Sequence, residues 1–381
     1  MKTKRSFVVL FVVVFGGLFV ILQRSDQSPT SELTETARQK RVAKIGYDAF
    51  SNNINGCLFY YWTRFFDKNQ TPVLEKVVTC NGNSQIGLCY GANKQMPQYA
   101  ACYNKDTLIP DFTGHIVRPN IGGKKEIPYL EQMLNMCFSH FQGPRGATDE
   151  DYRTELQRGL YGNYNLQSQQ FFARGHLTPK ADFTTDEERA YTMITTNIAP
   201  QWQLFNGGNW ENLEKALRKY ATQTNHVLYV FTGTGGKATN EKGDVIKLNK
   251  RVLAPKWYWK AVCDPIAKQS VFFFGENTIG DVNGMEGQQA KGCYGEVQTK
   301  KNGEVQNKKN GKVQTKKYGK VQNKKYGKMQ TKKLGVIKCY SLSYAKKMFK
   351  EDFQIPDFHV KNCVPSNIGE NFRPFIENNL K

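Results

Sequence analysis

The residues best suited to chemistry fall in one stretch, Phe171 to Glu214. It runs Phe171-Phe172-Ala173-Arg174-Gly175-His176-Leu177-Thr178-Pro179, then Ala181-Asp182-Phe183, then Thr196-Asn197-Ile198-Ala199-Pro200-Gln201. It closes on Phe205-Asn206-Gly207-Gly208-Asn209-Trp210-Glu211-Asn212-Leu213-Glu214. Cutting a phosphodiester needs a base for the attacking water and a cation for the developing charge. His176 is a base suited to neutral pH. Gly175 beside it permits a close backbone approach to a ligand. Arg174 can pair with phosphate oxygens. Asn206 offers a neutral oxygen ligand and Glu214 an anionic one. Magnesium prefers oxygen ligands and keeps several waters, so few protein donors suffice. Taken singly these residues say less: a lone histidine is commonly structural, and Asn206-Gly207-Gly208 alone reads as a turn.

The elements that must hold them follow from periodicity. Leu213, Leu217 and Tyr220 recur at four- and three-residue spacing, which predicts a helix over Asn209 to Tyr220 with Asn206 and Glu214 straddling its start. Ala190 to Thr196 is a second, shorter helix candidate leading into a loop. The apolar stretches His226 to Phe231 and Val271 to Phe274 read as strands. The expected fold is therefore one α+β domain.

In their order and spacing, the motifs Arg-Gly-His-Leu-x-Pro, Asn-Ile-x-Pro-Gln and Asn-x-Gly-x-Trp-x-x-Leu-Glu resemble the DNA/RNA non-specific endonuclease family. Its site is a ββα-metal (His-Me finger) motif. The strong resemblance covers about 44 residues, Phe171 to Glu214. A weaker likeness continues into Val252 to Cys263, and upstream Leu108-Ile109-Pro110 with His115-Ile116-Val117-Arg118-Pro119 looks like the family's early strand pair. The resemblance implies an antiparallel sheet core flanked by helices and a domain over residues 56–370. It implies that His176 is the general base, Asn206 the magnesium ligand (manganese being the alternative ion), and Glu214 the acid that holds the metal's water shell. Asn197 would orient the histidine and substrate, and Arg174 and Arg218 would sit near the scissile phosphate. Substrates would be DNA and RNA, with 5′-phosphate products, and some relatives of this kind are dimers, so a homodimer is an expectation. The family motif often carries Asp at the position where this chain, like animal members similar to it, has Ala173. Trp202 and Trp210 could stack on bases, which suits loose sequence preference. Trp210, within the predicted helix, suits core packing better.

Composition agrees with an anionic partner. The 381 residues carry a formal net charge of +21, and aromatics at 13% argue against a mostly disordered chain. More than half of that charge lies in residues 295–334, five octapeptides (GEVQTKKN, GEVQNKKN, GKVQTKKY, GKVQNKKY, GKMQTKKL) with 13 lysines and two glutamates, hence +11. One Val or Met per unit is too little to bury a core, and a Gly every eight residues opposes a continuous helix. The segment reads as a surface insertion: an electrostatic arm for polyanions, or a tolerated repeat expansion. Two other functions stay open on this basis, a nucleic-acid-binding protein with weak or lost nuclease activity and a heparin- or membrane-binding protein working through the lysines alone.

The N-terminus reads as a secretory address. Lys2, Lys4 and Arg5 precede an apolar run, Phe7 to Leu22, that lies between a signal-peptide core and a spanning helix in length. Residues 1–24 are thus a signal peptide or signal anchor, and 25–55 a polar spacer holding the dibasic Arg38-Gln39-Lys40-Arg41. The expected destination is extracellular, with a membrane-anchored form exposing a lumenal or extracellular catalytic domain as the alternative. The nine cysteines then read as disulfides, Cys293–Cys339 among them, with one thiol left over. No C-x-x-C pair exists, which removes a zinc ribbon or thioredoxin-type motif. Asn69-Gln70-Thr71 is a glycosylation sequon.

Overall fold

The computed structural model describes residues 10–14, 17–21, 54, 58, 78–80, 82–91, 97–119, 146–277, 293–294, 335, 337–358, 360, 362–366 and 368. Two compact units are present, residues 1–45 and 46–381. In the first, β1 (Leu10–Val14) and β2 (Gly17–Ile21) pair antiparallel, Leu10 opposite Ile21. Among the described residues, no helix is long and apolar enough to cross a membrane. The spacer except Ile54, the dibasic site, the sequon and the 295–334 repeat lie outside the described residues.

The second unit is α+β around an eight-stranded sheet. Its strands are β3 (Gln85–Gly91), β4 (Pro97–Asn104), β5 (Ile109–Val117), β8 (Leu228–Gly235), β11 (Trp257–Asp264), β12 (Gln269–Glu276), β13 (Cys293–Tyr294) and β14 (Ile337–Tyr340). The spatial order is β13-β14-β12-β11-β8-β5-β4-β3, antiparallel throughout except for the parallel β13–β14 pair. Two ribbons stand apart, β6 (Phe172–His176) with β7 (Ile198–Trp202) and β9 (Lys247–Leu248) with β10 (Val252–Leu253). The helices are α1 (Asp186–Tyr191), α2 (Glu211–Thr224) and α3 (Leu342–Met348).

Several expectations shift for identifiable reasons. The early strand pair is one continuous strand, β5; its partner is β4, and a register shift beside Tyr103 accommodates Pro110. The helix expected at Ala190 to Thr196 lies earlier, because Thr185 and Glu188 form a capping box that starts α1 at Asp186. The helix expected at Asn209 to Tyr220 is α2, running on to Thr224, where Asn225 turns left-handed (φ 55°) and ends it. This delays β8 to Leu228.

Alternation along the strands gives the sheet two different faces. One packs Val230, Tyr258, Val262, Val271 and Phe273 against Phe172, Trp202, Leu213 and Leu217 of β6, β7 and α2. The other packs Phe231, Trp259, Phe272 and Phe274 against Phe349, Ile355 and Phe358 from α3 and the segment after it. Two disulfides fasten this second side, Cys80–Cys102 and Cys263–Cys363. The latter closes a separation of 100 residues, worth about 4–5 kcal/mol in a chain-entropy account. Cys89 and Cys339 are also disulfide-bonded, and the β13–β14 register sets Cys293 directly opposite Cys339.

Candidate active site

The frame of the site is β6, β7 and α2, two antiparallel strands followed by a helix. His176 sits opposite Ile198 and Arg174 opposite Pro200. Residues two apart on a strand share a face, so Arg174 and His176 project together. Ala173 and Gly175 take the other face. A Cβ on Gly175 would lie 2.5 Å from the Gln201 Cβ and 2.7 Å from the Tyr258 hydroxyl. The close approach this glycine permits is thus to β7 and β11, inside the protein, rather than to a ligand.

His176 is half-buried, and its Nε2 lies 3.2 Å from the Met193 sulfur, a weak acceptor. Burial and then the Lys180 charge lower its pKa to about 4, against a hydrogen bond to the Arg174 backbone that raises it. Neutral imidazole is the form a general base requires. Arg174 donates from Nε to Asp149 Oδ1 at 2.7 Å and from Nη2 to the Asp149 carbonyl at 3.3 Å, its guanidinium 6.0 Å from the Tyr152 ring centroid.

Past β7 the chain passes through a wide π-type turn, Asn206–Trp210, kinked at Gly208 (φ −110°, ψ −122°). Such turns collect at functional sites. Asn206 donates its amide to Gln203 Oε1 at 3.4 Å. Its own carbonyl oxygen takes no hydrogen bond among the described residues. Asn209 donates to the Gly335 carbonyl at 2.7 Å. Gly335 has φ +82°, and a Cβ there would lie 2.5 Å from the Phe205 ring. The chain just beyond the repeat is therefore anchored on this turn.

Glu214 and Arg218 are four residues apart on α2 and share a face. Glu214 is 13% exposed. Burial pushes its carboxyl up to about 7, against the pull of Lys260 and Arg218. Arg218 Nη1 donates to Asp182 Oδ1 at 2.7 Å, and His115 Nε2 lies 2.8 Å from Asp182 Oδ2. Burial works to raise the Asp182 pKa, but His115 and Arg218 outweigh it and hold the carboxyl below its ordinary value. Burial lowers the His115 pKa despite Asp182.

Not every expected residue reaches the site surface. Asn197 is fully buried, accepts from the Thr178 backbone and donates to the Thr178 and Thr192 carbonyls, all at 2.9 Å. It fixes the exit of β6 just after His176 and has no exposed edge for substrate. Trp202 corrects the stacking expectation: it is 2% exposed and wedged edge-on against Tyr161 and Phe172, so no base can reach its face. Trp210, 1% exposed, packs in the core as expected. Sequence reasoning missed Asp149, His115 and Lys260. Only Lys260 left a local signal, a lysine in the middle of the apolar strand Trp257–Asp264.

Residues 85–283, just over half of the chain, match the family model described as DNA/RNA non-specific endonuclease. The "Salivary endonuclease" of Lutzomyia longipalpis is 26% identical over 222 residues, 54% of this chain and 53% of that protein. That of Culex quinquefasciatus is 28% identical over 216 residues, 53% and 54% of the two chains. The "Salivary protein Tsal1" of Glossina morsitans morsitans is 24% identical over 204 residues, 50% and 51%. The chain spans about half the length of these curated relatives. The crystal structure of an EndoG/EndoGI complex superposes with a TM-score of 0.36 at 17% identity, over 48% of this chain and 73% of that one. With its antiparallel sheet and its strand-strand-helix site, the chain belongs to the DNA/RNA non-specific endonuclease family.

Proposed function

We propose that this protein is a metal-dependent, sugar-nonspecific endonuclease that hydrolyses phosphodiester bonds of DNA and RNA. The observation that carries the reading is the frame itself: His176 and Arg174 on one strand face, Glu214 and Arg218 on one helix face, joined by the turn that holds Asn206. His176, neutral above pH 4 or so, takes the proton of the attacking water. Arg174 and Arg218 each carry five N–H donors. Those not spent on Asp149 and Asp182 meet phosphate oxygens.

The donors present fit a hard dication. Asn206 and Glu214 are both oxygen donors, the kind that magnesium and manganese prefer. Asn206 would hold magnesium or manganese directly, with Glu214 holding its water shell. Such an ion, when bound, stabilises the charge on the pentacoordinate phosphate and the departing 3′ oxygen.

The nuclease domain extends over residues 56–370, with 295–334 as an insertion that aids capture of polyanions. The preceding 1–24 segment directs the protein out of the cell, in line with relatives named salivary. Purified protein should degrade plasmid and RNA with magnesium and stop with chelator. Tight, salt-sensitive binding without turnover would instead identify a binding protein.

A further inference from the structure

We propose that Lys260 is a positioning residue for Glu214; the assignment rests on the nuclease reading above. Lys260 lies mid-strand in β11 and is 1% exposed. The strand registers align it with Thr232 of β8 and, one strand further, with Thr113 of β5. Its apolar neighbours on that face are Tyr258 and Val262. The ammonium donates to Thr232 Oγ1 at 2.6 Å, lies 3.9 Å from Glu214 Oε1, and sits 5.3 Å from the Trp210 ring centroid.

These contacts define what the lysine does. A hydroxyl, a carboxylate oxygen and an aromatic face surround three N–H donors, so the ammonium has one location. Glu214 Oε1 is drawn to that location, which fixes the carboxylate relative to α2. The far end of the same ladder reaches the other half of the site. Thr113 Oγ1 accepts from Thr178 Oγ1 at 2.9 Å, two residues beyond His176. Fold stability alone does not explain a lysine here, because apolar residues replace buried ion pairs with little loss of stability. Groups that orient metal-site ligands from behind are instead costly to lose, by roughly 10–100-fold in activity or metal affinity.

The test uses the full chain with Lys260→Met and the near-isosteric Thr232→Val, which removes the hydroxyl that seats the ammonium. Cleavage is followed against substrate and magnesium concentration, and DNA binding is measured in chelator. Lys260→Met should lower kcat roughly 10–100-fold or raise the magnesium requirement by that factor, with KM and chelator binding unchanged. Thr232→Val should move the same parameter less. In a Glu214→Gln background, Lys260→Met should add no further loss. Wild-type kcat and magnesium dependence in Lys260→Met would overturn the proposal, as would a full multiplicative loss in the Glu214→Gln background. If Lys260→Met does not fold, Thr232→Val decides in its place. A wild-type protein that never cuts overturns the nuclease reading, and this one with it; a wild type that cuts beside an unaffected Lys260→Met overturns this one alone.

Discussion

The two faces of the eight-stranded sheet differ in what they bury. On one, Trp259, Phe272, Phe274, Phe349 and Phe353 stack with ring centroids 4.5–6.3 Å apart. Two disulfides join this side. On the other, Thr113, His115, Thr232 and Lys260 lie buried behind β6 and α2, joined to Thr178, Asp182 and Glu214. Buried polar groups cost free energy unless fully paired, and aromatic packing does not. The contrast separates the parts that hold the fold from the parts that hold the side chains of the candidate site in place.

Substitutions on the two faces should therefore have different signatures. Asp182→Asn should be the most damaging, because it leaves Arg218 and His115 buried beside a neutral amide. Breaking one side of a buried pair costs about 3–5 kcal/mol, so thermal stability and cleavage should fall together. On the aromatic face, Phe272→Ala should cost a similar ~3–5 kcal/mol, yet leave the cleavage rate per folded molecule at wild type. Denaturant unfolding beside active-site-normalised rates would separate the two, and a slow but folded Phe272→Ala protein would break the contrast.

A smaller effect is expected in pH. His176, held near 4, stays neutral and ready to accept a proton across the ordinary range. Glu214 is held near 7, and in the proposed role it must lose its proton to hold an ion's water shell. At limiting magnesium, activity should decline as pH falls through about 7, and excess magnesium should move that decline toward lower pH. A decline fixed near 6.5 at every magnesium concentration would assign it to an unperturbed histidine instead. Smallest of all, deletion of 295–334 removes +11 of charge outside the frame. It should leave cutting in place and flatten the salt dependence of binding. Loss of all binding on deletion would move recognition onto the lysines.

How far the sequence could be read follows the same division. The helical spacing of Leu213, Leu217 and Tyr220 marks α2 correctly, because those side chains make its buried stripe. The order of motifs places β6, β7 and α2 together, since the whole frame is nearly contiguous in sequence. Trp202 misleads because β7 is buried along its entire length, which period-two reasoning about a half-exposed strand does not anticipate. His115, Asp182 and Lys260 are a different case. Each is contributed by a separate element, the first two lying 67 positions apart in sequence. Only sheet register and the packing of α2 on it bring them together, and neither is a local property of the chain.

The most direct measurement is the cleavage of plasmid and RNA by wild type and His176→Ala under saturating magnesium, with folding confirmed by thermal unfolding. A general base contributes roughly 10²–10⁴ in rate. The wild type should cut both substrates, and His176→Ala should be slower by that factor while unfolding at nearly the same temperature. Cutting by His176→Ala at the wild-type rate would contradict the assignment of His176 as the base.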